Sequence, residues 1–203
     1  MDTSEGVFNS FRHVISAFNL ETPSPETFHS MIGPSLVDSF KNVFHFPDEE
    51  VHKAMAKYRE YYLDKGMFQV RVYDGLEELL KRLTENGCSL YTATCKPEPY
   101  ARSILKHLNL DRYFTFIGGS DVEEVLRIKK VDIINYVIGE AGIKDKSSCI
   151  MIGDRKFDIE GAKQAGIASV GILYGFGDRA EMEECGADYI EESPESLGKL
   201  LLD

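Results

Sequence analysis

The chain has 203 residues, 43% of them hydrophobic, which is enough apolar material for one sizeable core or for a core with a smaller second domain. Twenty-three basic residues against 34 acidic ones leave a net charge of −11, a balance that argues against general attraction to nucleic acid or to an anionic membrane. No apolar run approaches the length of a membrane span, no signal-peptide pattern opens the chain, and Cys88, Cys95, Cys149 and Cys185 form no Cys-x-x-Cys pair. Thiols in a reducing compartment fit this pattern, so a cytoplasmic location is expected.

Over residues 5–67 the grammar is helical. "EGVFNSFRHVISAF" sets Val7, Phe8, Phe11, Val14, Ile15 and Phe18 on one face. "SPETFHSMIG" supplies a Ser cap, a Pro at the first helical position and a Gly stop. "PSLVDSFKNVF" repeats the apolar spacing, and "PDEEVHKAMAKYREYYLDKG" places acids at its start and Lys-Gly at its end, both matched to the helix dipole. Four helices with short links predict a small bundle. After "VRVYDG" the pattern alternates. "YDGLEELLKRLTENG" predicts a helix capped by Asp74 and ended before Gly87. "CSLYTAT", "YFTFIGG", "SCIMIGD", "ASVGIL" and "ADYI" read as strands. Helices fall between them over "PEPYARSILKHLNL", "KVDIINYVIGEAG", "FDIEGAKQAG" and "RAEMEECG", with a last one from Pro194. The expected architecture is α/β, a doubly wound parallel sheet over residues 71–203 with a small helical bundle over 1–70.

In parallel sheets, ligands bind beyond the carboxyl ends of the strands. "CSLYTAT" delivers Thr94, followed by Cys95 and Lys96, while "SCIMIGD" delivers Asp154, with Asp158 one turn on. Lys130 opens the helix between them in sequence. Two carboxylates placed close together repel unless a cation sits near them. A hydroxyl, an ammonium and an acid pair at one rim suit a phosphate with a divalent cation, and Mg²⁺ binds few carboxylates while sharing phosphate oxygens. Each residue also has a plainer reading: Thr as an ordinary strand end, Lys130 as a solvated helix start beside Lys129, one Asp as an N-cap. Cys95 is expected to contribute its backbone amide, because no His or Asn partner for a thiolate is evident.

The helical segment 5–67, "VYDGLEELLKRL", "ATCKPEPYARSIL" and "MIGDRKFDIEGAKQAGIASVGILYGFG" together resemble the haloacid dehalogenase-like hydrolases, in the phosphoglycolate phosphatase branch with a helical cap. The resemblance covers nearly the whole chain. It implies that Thr94 and the Cys95 amide hold phosphate and that Lys130 neutralises the phosphoryl group. Lys130 is preferred to Lys129 because "KVDIINYVI" matches the family's helix after its lysine. Asp154 would ligate Mg²⁺, with Asp158 supporting it directly or through water, and the Gly33–Pro34 loop of the cap would face a small phosphorylated metabolite. The implied reaction is phosphomonoester hydrolysis through an aspartyl-phosphate. The family's first motif, Asp-x-Asp-Gly-Thr, occurs nowhere in the 203 residues, and "MDTSEGVF" resembles the sequence that follows it. The expectation is therefore that the first core strand and the nucleophile are missing from this sequence, through a misassigned start, a truncation or descent to a non-catalytic homologue. Within the family, a 5′-nucleotidase and a phosphosugar mutase are the rival activities. Outside enzymes, a phosphate- or metal-binding homologue is the rival.

Overall fold

Apolar steps of three and four residues become helices throughout the first third of the chain. The computed structural model describes residues 1–122 and 125–203, divided into two units, Met1–Arg71 and Val72–Asp203. The first unit contains α1 (Ser4–Phe18), α2 (Pro25–Ser30), α3 (Leu36–Asn42) and α4 (Asp48–Asp64). Ser24 and Ser35 cap α2 and α3 by accepting the amides of Thr27 and Asp38. Phe11, fully buried on α1, anchors an aromatic cluster with Phe40, Phe44 and Tyr58, its ring centroid 5.0 Å from that of Tyr58. The unit closes where the backbones of Asp2 and Arg71 exchange hydrogen bonds of 2.8 and 2.9 Å. The Asp2 carboxylate accepts the amide and the hydroxyl of Ser4, so it serves the start of α1.

The second unit alternates. Its elements are α5 (Leu76–Glu85), β1 (Leu90–Pro97), α6 (Glu98–His107), β2 (Phe114–Ser120), α7 (Lys130–Glu140), β3 (Ile150–Gly153), α8 (Lys156–Ala165), β4 (Ala168–Ile172), α9 (Arg179–Glu184), β5 (Tyr189–Glu191) and α10 (Pro194–Leu202). Every strand pairing among the described residues is parallel, as expected of strands joined by crossover helices. Leu79 and Leu83 of α5 and Leu197 of α10 form an apolar cluster with Val170, against which Leu90 of β1 and Ile150 and Ile152 of β3 pack.

One detail departs from expectation. Asp74 does not cap α5. Gly75 occupies the cap with φ of 78°, its carbonyl accepting the Leu79 amide, because a left-handed turn at a residue without Cβ starts the helix one position later. The parallel strands form two segments, β2–β1 and β3–β4–β5. No described strand pairs with the second edge of β1 or of β3.

Candidate active site

The carboxyl end of β1 is irregular. Thr94 pairs with Gly119, but the next pairing is Pro97 with Ser120, so Cys95 and Lys96 form an excursion in β1. Such an insertion bends a strand and re-aims its side chains. The excursion is fixed by two bonds: Ser120, buried, donates its hydroxyl to the Cys95 carbonyl at 2.9 Å, and Thr94 Oγ1 accepts the Lys96 amide at 3.1 Å. Accepting leaves the Thr94 hydroxyl hydrogen available for donation to a ligand oxygen.

Lys130 is the first residue of α7, and its Nζ donates to the Ala93 carbonyl at 2.8 Å. The same Nζ lies 2.7 Å from Asp158 Oδ1, in an ion pair whose side chains are only 11% and 9% exposed. Lys129, one residue earlier, is exposed. Room for the lysine stem comes from Gly161 on α8, where an added Cβ would lie 2.5 Å from Lys130 Cγ. Burial pulls the Lys130 ammonium down, but the charges of Asp158, Cys95 and Asp154 outweigh it and hold its pKa above the ordinary lysine value.

Asp158 sits in the first turn of α8, and its second oxygen accepts the Arg155 amide at 3.1 Å. Both Asp158 oxygens are therefore engaged, one by an ammonium and one by a helix N-terminus. Asp154 follows β3 directly. Its Oδ2 accepts the Phe176 amide at 3.0 Å, and its carbonyl accepts the Gly177 amide at 2.8 Å. Burial raises the pKa of Asp154, the Phe176 bond opposes this, and the Asp158 charge raises it further. The carboxylate is thus held in a place that disfavours its charge, which a bound cation would relieve. Among the described residues no group of three or more His, Cys, Asp or Glu is placed to hold a metal. Asp154 nevertheless fits a cation of the Mg²⁺ kind, which is content with one or two carboxylates and completes its shell with water and phosphate oxygens.

The structure thus joins Lys130 to Asp158, and both to the end of β1 that carries Thr94 and Cys95. It sets Asp154 within electrostatic range of Lys130 and Asp158. Gly33 and Pro34 lie in the turn between α2 and α3 of the helical unit, with Gly33 at φ of 112°. Sequence reasoning missed the stretch Tyr174–Gly177 after β4. Its signal was present in "LYGFG", which closes the last stretch quoted for the family resemblance and follows a strand end. Tyr174 is pushed up to about 12, first by burial and then by the charges of Asp154 and Glu191.

The haloacid dehalogenase-like hydrolase family model matches residues 1–172. A 5′-nucleotidase of Pseudomonas aeruginosa is 34% identical over 89% of this chain and 81% of its own length. Phosphoglycolate phosphatase 1 of the same organism is 33% identical over 64% of this chain and 46% of its own length. The crystal structure of a predicted phosphatase from Clostridium acetobutylicum superposes with a TM-score of 0.93 at 37% identity, covering 99% of this chain and 92% of that one.

Proposed function

Because the chain belongs to the haloacid dehalogenase-like hydrolase family, we propose that it acts as a phosphatase on a small phosphomonoester, with Mg²⁺ held at Asp154. One observation carries this reading: the buried Lys130 ammonium, bonded to Ala93 and Asp158, stands beside Thr94 and Asp154 at the strand ends. Lys130 would bind a phosphoryl oxygen, with Thr94 donating to a second one. Asp158 would keep Lys130 charged and oriented. Mg²⁺, when bound, would supply charge stabilisation for the transferring phosphoryl group, the dominant form of assistance in such reactions. The attacking carboxylate is not assigned to a residue of this chain. Asp158 is doubly engaged, Asp154 is held by Phe176, and Asp2 serves α1. The helical unit takes the role of a cap that selects the leaving group, with Gly33 and Pro34 as its substrate-side residues, on the family resemblance alone.

A second reading, phosphate or metal binding without turnover, is favoured by one feature, the absence of Asp-x-Asp-Gly-Thr from the 203 residues. Phosphate release from phosphoglycolate, nucleoside monophosphates and an aryl phosphate, with and without Mg²⁺, separates the two. Release that needs Mg²⁺ and is lost in Asp154→Asn and Lys130→Met supports the phosphatase. Release indifferent to both substitutions overturns the site assignment. Binding of inorganic phosphate with no release moves the second reading to first place.

A further inference from the structure

We infer that the Tyr174–Gly177 turn is the positioning element for Asp154, and that Gly175 sets where its carboxylate stands. This rests on the reading of Asp154 as the cation's ligand. The turn reaches Asp154 across 22 residues of sequence and holds it at three places. The Phe176 amide donates to Oδ2 at 3.0 Å, the Gly177 amide donates to the Asp154 carbonyl at 2.8 Å, and Gly175 lies flat against the side chain. A Cβ added at Gly175 would stand 2.2 Å from Asp154 Cβ and 2.3 Å from its Oδ2, and one added at Gly177 would stand 2.3 Å from the Asp154 carbonyl oxygen. Side-chain atoms do not approach so closely, so the turn packs against Asp154 only because both positions carry glycine. The turn is itself tied down at its start, where the Leu173 amide donates to the Glu191 carbonyl at 2.9 Å.

The chemical consequence is an oriented carboxylate. Oδ2 accepts a backbone amide, which makes Oδ1 the less encumbered oxygen to meet a cation. A cation demanding near-octahedral geometry gains from a ligand whose second oxygen is fixed by the protein. A backbone donor also cannot rotate away, unlike a side-chain donor. Lys130 and Asp158 position each other, whereas Asp154 is positioned by this turn.

The test uses the unaltered chain and four variants, Gly175→Ala, Phe176→Pro, Asp154→Asn and Gly139→Ala. Mg²⁺ binding is measured by titration calorimetry and folding by circular dichroism. Gly139 lies on α7 with nothing within 4 Å of an added Cβ, so its variant is the control. Gly175→Ala and Phe176→Pro are expected to weaken Mg²⁺ binding roughly 10–100-fold, the usual effect of disturbing the groups that orient a ligand, with Gly139→Ala unchanged. If Asp154→Asn abolishes binding while the folded Gly175→Ala and Phe176→Pro variants bind as the unaltered chain does, the positioning inference fails and the metal reading survives. If Asp154→Asn binds normally, or the unaltered chain binds no Mg²⁺, the metal reading fails, and the inference with it. A crystal structure of Gly175→Ala supplies a readout without metal. The Asp154 carboxylate should be displaced from Phe176, and an unmoved carboxylate refutes the inference.

Discussion

Removing the Lys130 ammonium while leaving Asp158 in place is expected to be among the costliest single substitutions in the α/β unit. Distance alone does not say so. The Lys130–Asp158 contact is 2.7 Å and the Arg112–Glu77 contact is 2.6 Å. Burial separates them: the first pair is 11% and 9% exposed, the second 44% and 54%. Water stands in for a lost partner at the exposed pair, whereas the Asp158 carboxylate would be left charged in a protein environment with one amide for company. Breaking such a buried pair from one side costs about 3–5 kcal/mol. Urea unfolding of Lys130→Met should show this loss as a lower midpoint with little change in slope, while Arg112→Met should leave the midpoint nearly where it was. Asp158→Asn combined with Lys130→Met should recover part of the loss, because the uncompensated charge is gone. The pH dependence has a definite sign. The folded-state pKa of Lys130 is raised, so its contribution is fully present below the ordinary lysine value of 10.5 and is lost as pH rises through the folded value. A Lys130→Met penalty below about 1 kcal/mol, or strict additivity in the double variant, would refute the reasoning, since either result places the pair in the exposed class.

Three further outcomes are expected. Subtracting the absorbance titration of Tyr174→Phe from that of the unaltered chain should isolate one phenol ionising near 12. With its folded value raised, that phenol favours folding below its ordinary value of 10.0 and loses this contribution between there and 12, so a difference curve centred at the ordinary value would contradict its burial beside Asp154. Gly6→Ala should destabilise the helical unit by roughly 1–3 kcal/mol or more, because the new Cβ would stand 1.8 Å from the Gly66 carbonyl oxygen, and an unchanged thermal midpoint would show that this close approach does not exist. The second edges of β1 and β3 have no described strand partner, so sedimentation velocity should show association growing with concentration over the micromolar to millimolar range. A strictly monomeric chain throughout that range would mean these edges are protected.

Much of the fold was legible because its determinants are local. Ser24 caps the helix that its position before Pro25 implied, and Gly166, at φ of 73°, ends α8 at the close of "FDIEGAKQAG". Thr94 and Asp154 were proposed through one general rule, that parallel sheets present ligands at strand ends, and Lys130 and Asp158 through the family resemblance and their spacing. What the sequence withheld is non-local. Gly75 rather than Asp74 starts α5, and the choice depends on a left-handed turn that the Asp-Gly pair permits but does not require. The roles of the two acids were hidden for the same reason. Their spacing suggests a matched pair facing one cation, whereas the structure bonds Asp158 to Lys130 and the Arg155 amide and Asp154 to the Phe176 amide.

That division decides the electrostatics of the site. Lys130 and Asp158 largely cancel each other within one ion pair, while the Asp154 carboxylate stays in a place that disfavours its charge. A phosphate dianion brought to Thr94 and Lys130 alone would meet a partly neutralised ammonium and an uncompensated carboxylate, a poor place for two further negative charges. A divalent cation at Asp154 reverses the balance, and the phosphate in turn supplies oxygens that the sparse protein ligand set lacks. Each ligand therefore improves the site for the other, and linkage requires the improvement to be equal in both directions. Phosphate affinity should rise with Mg²⁺ concentration by the same factor by which Mg²⁺ affinity rises with phosphate. Asp154→Asn should remove the coupling while sparing Lys130 and its bond to Ala93. A site that bound phosphate equally well with and without Mg²⁺ would refute this coupling.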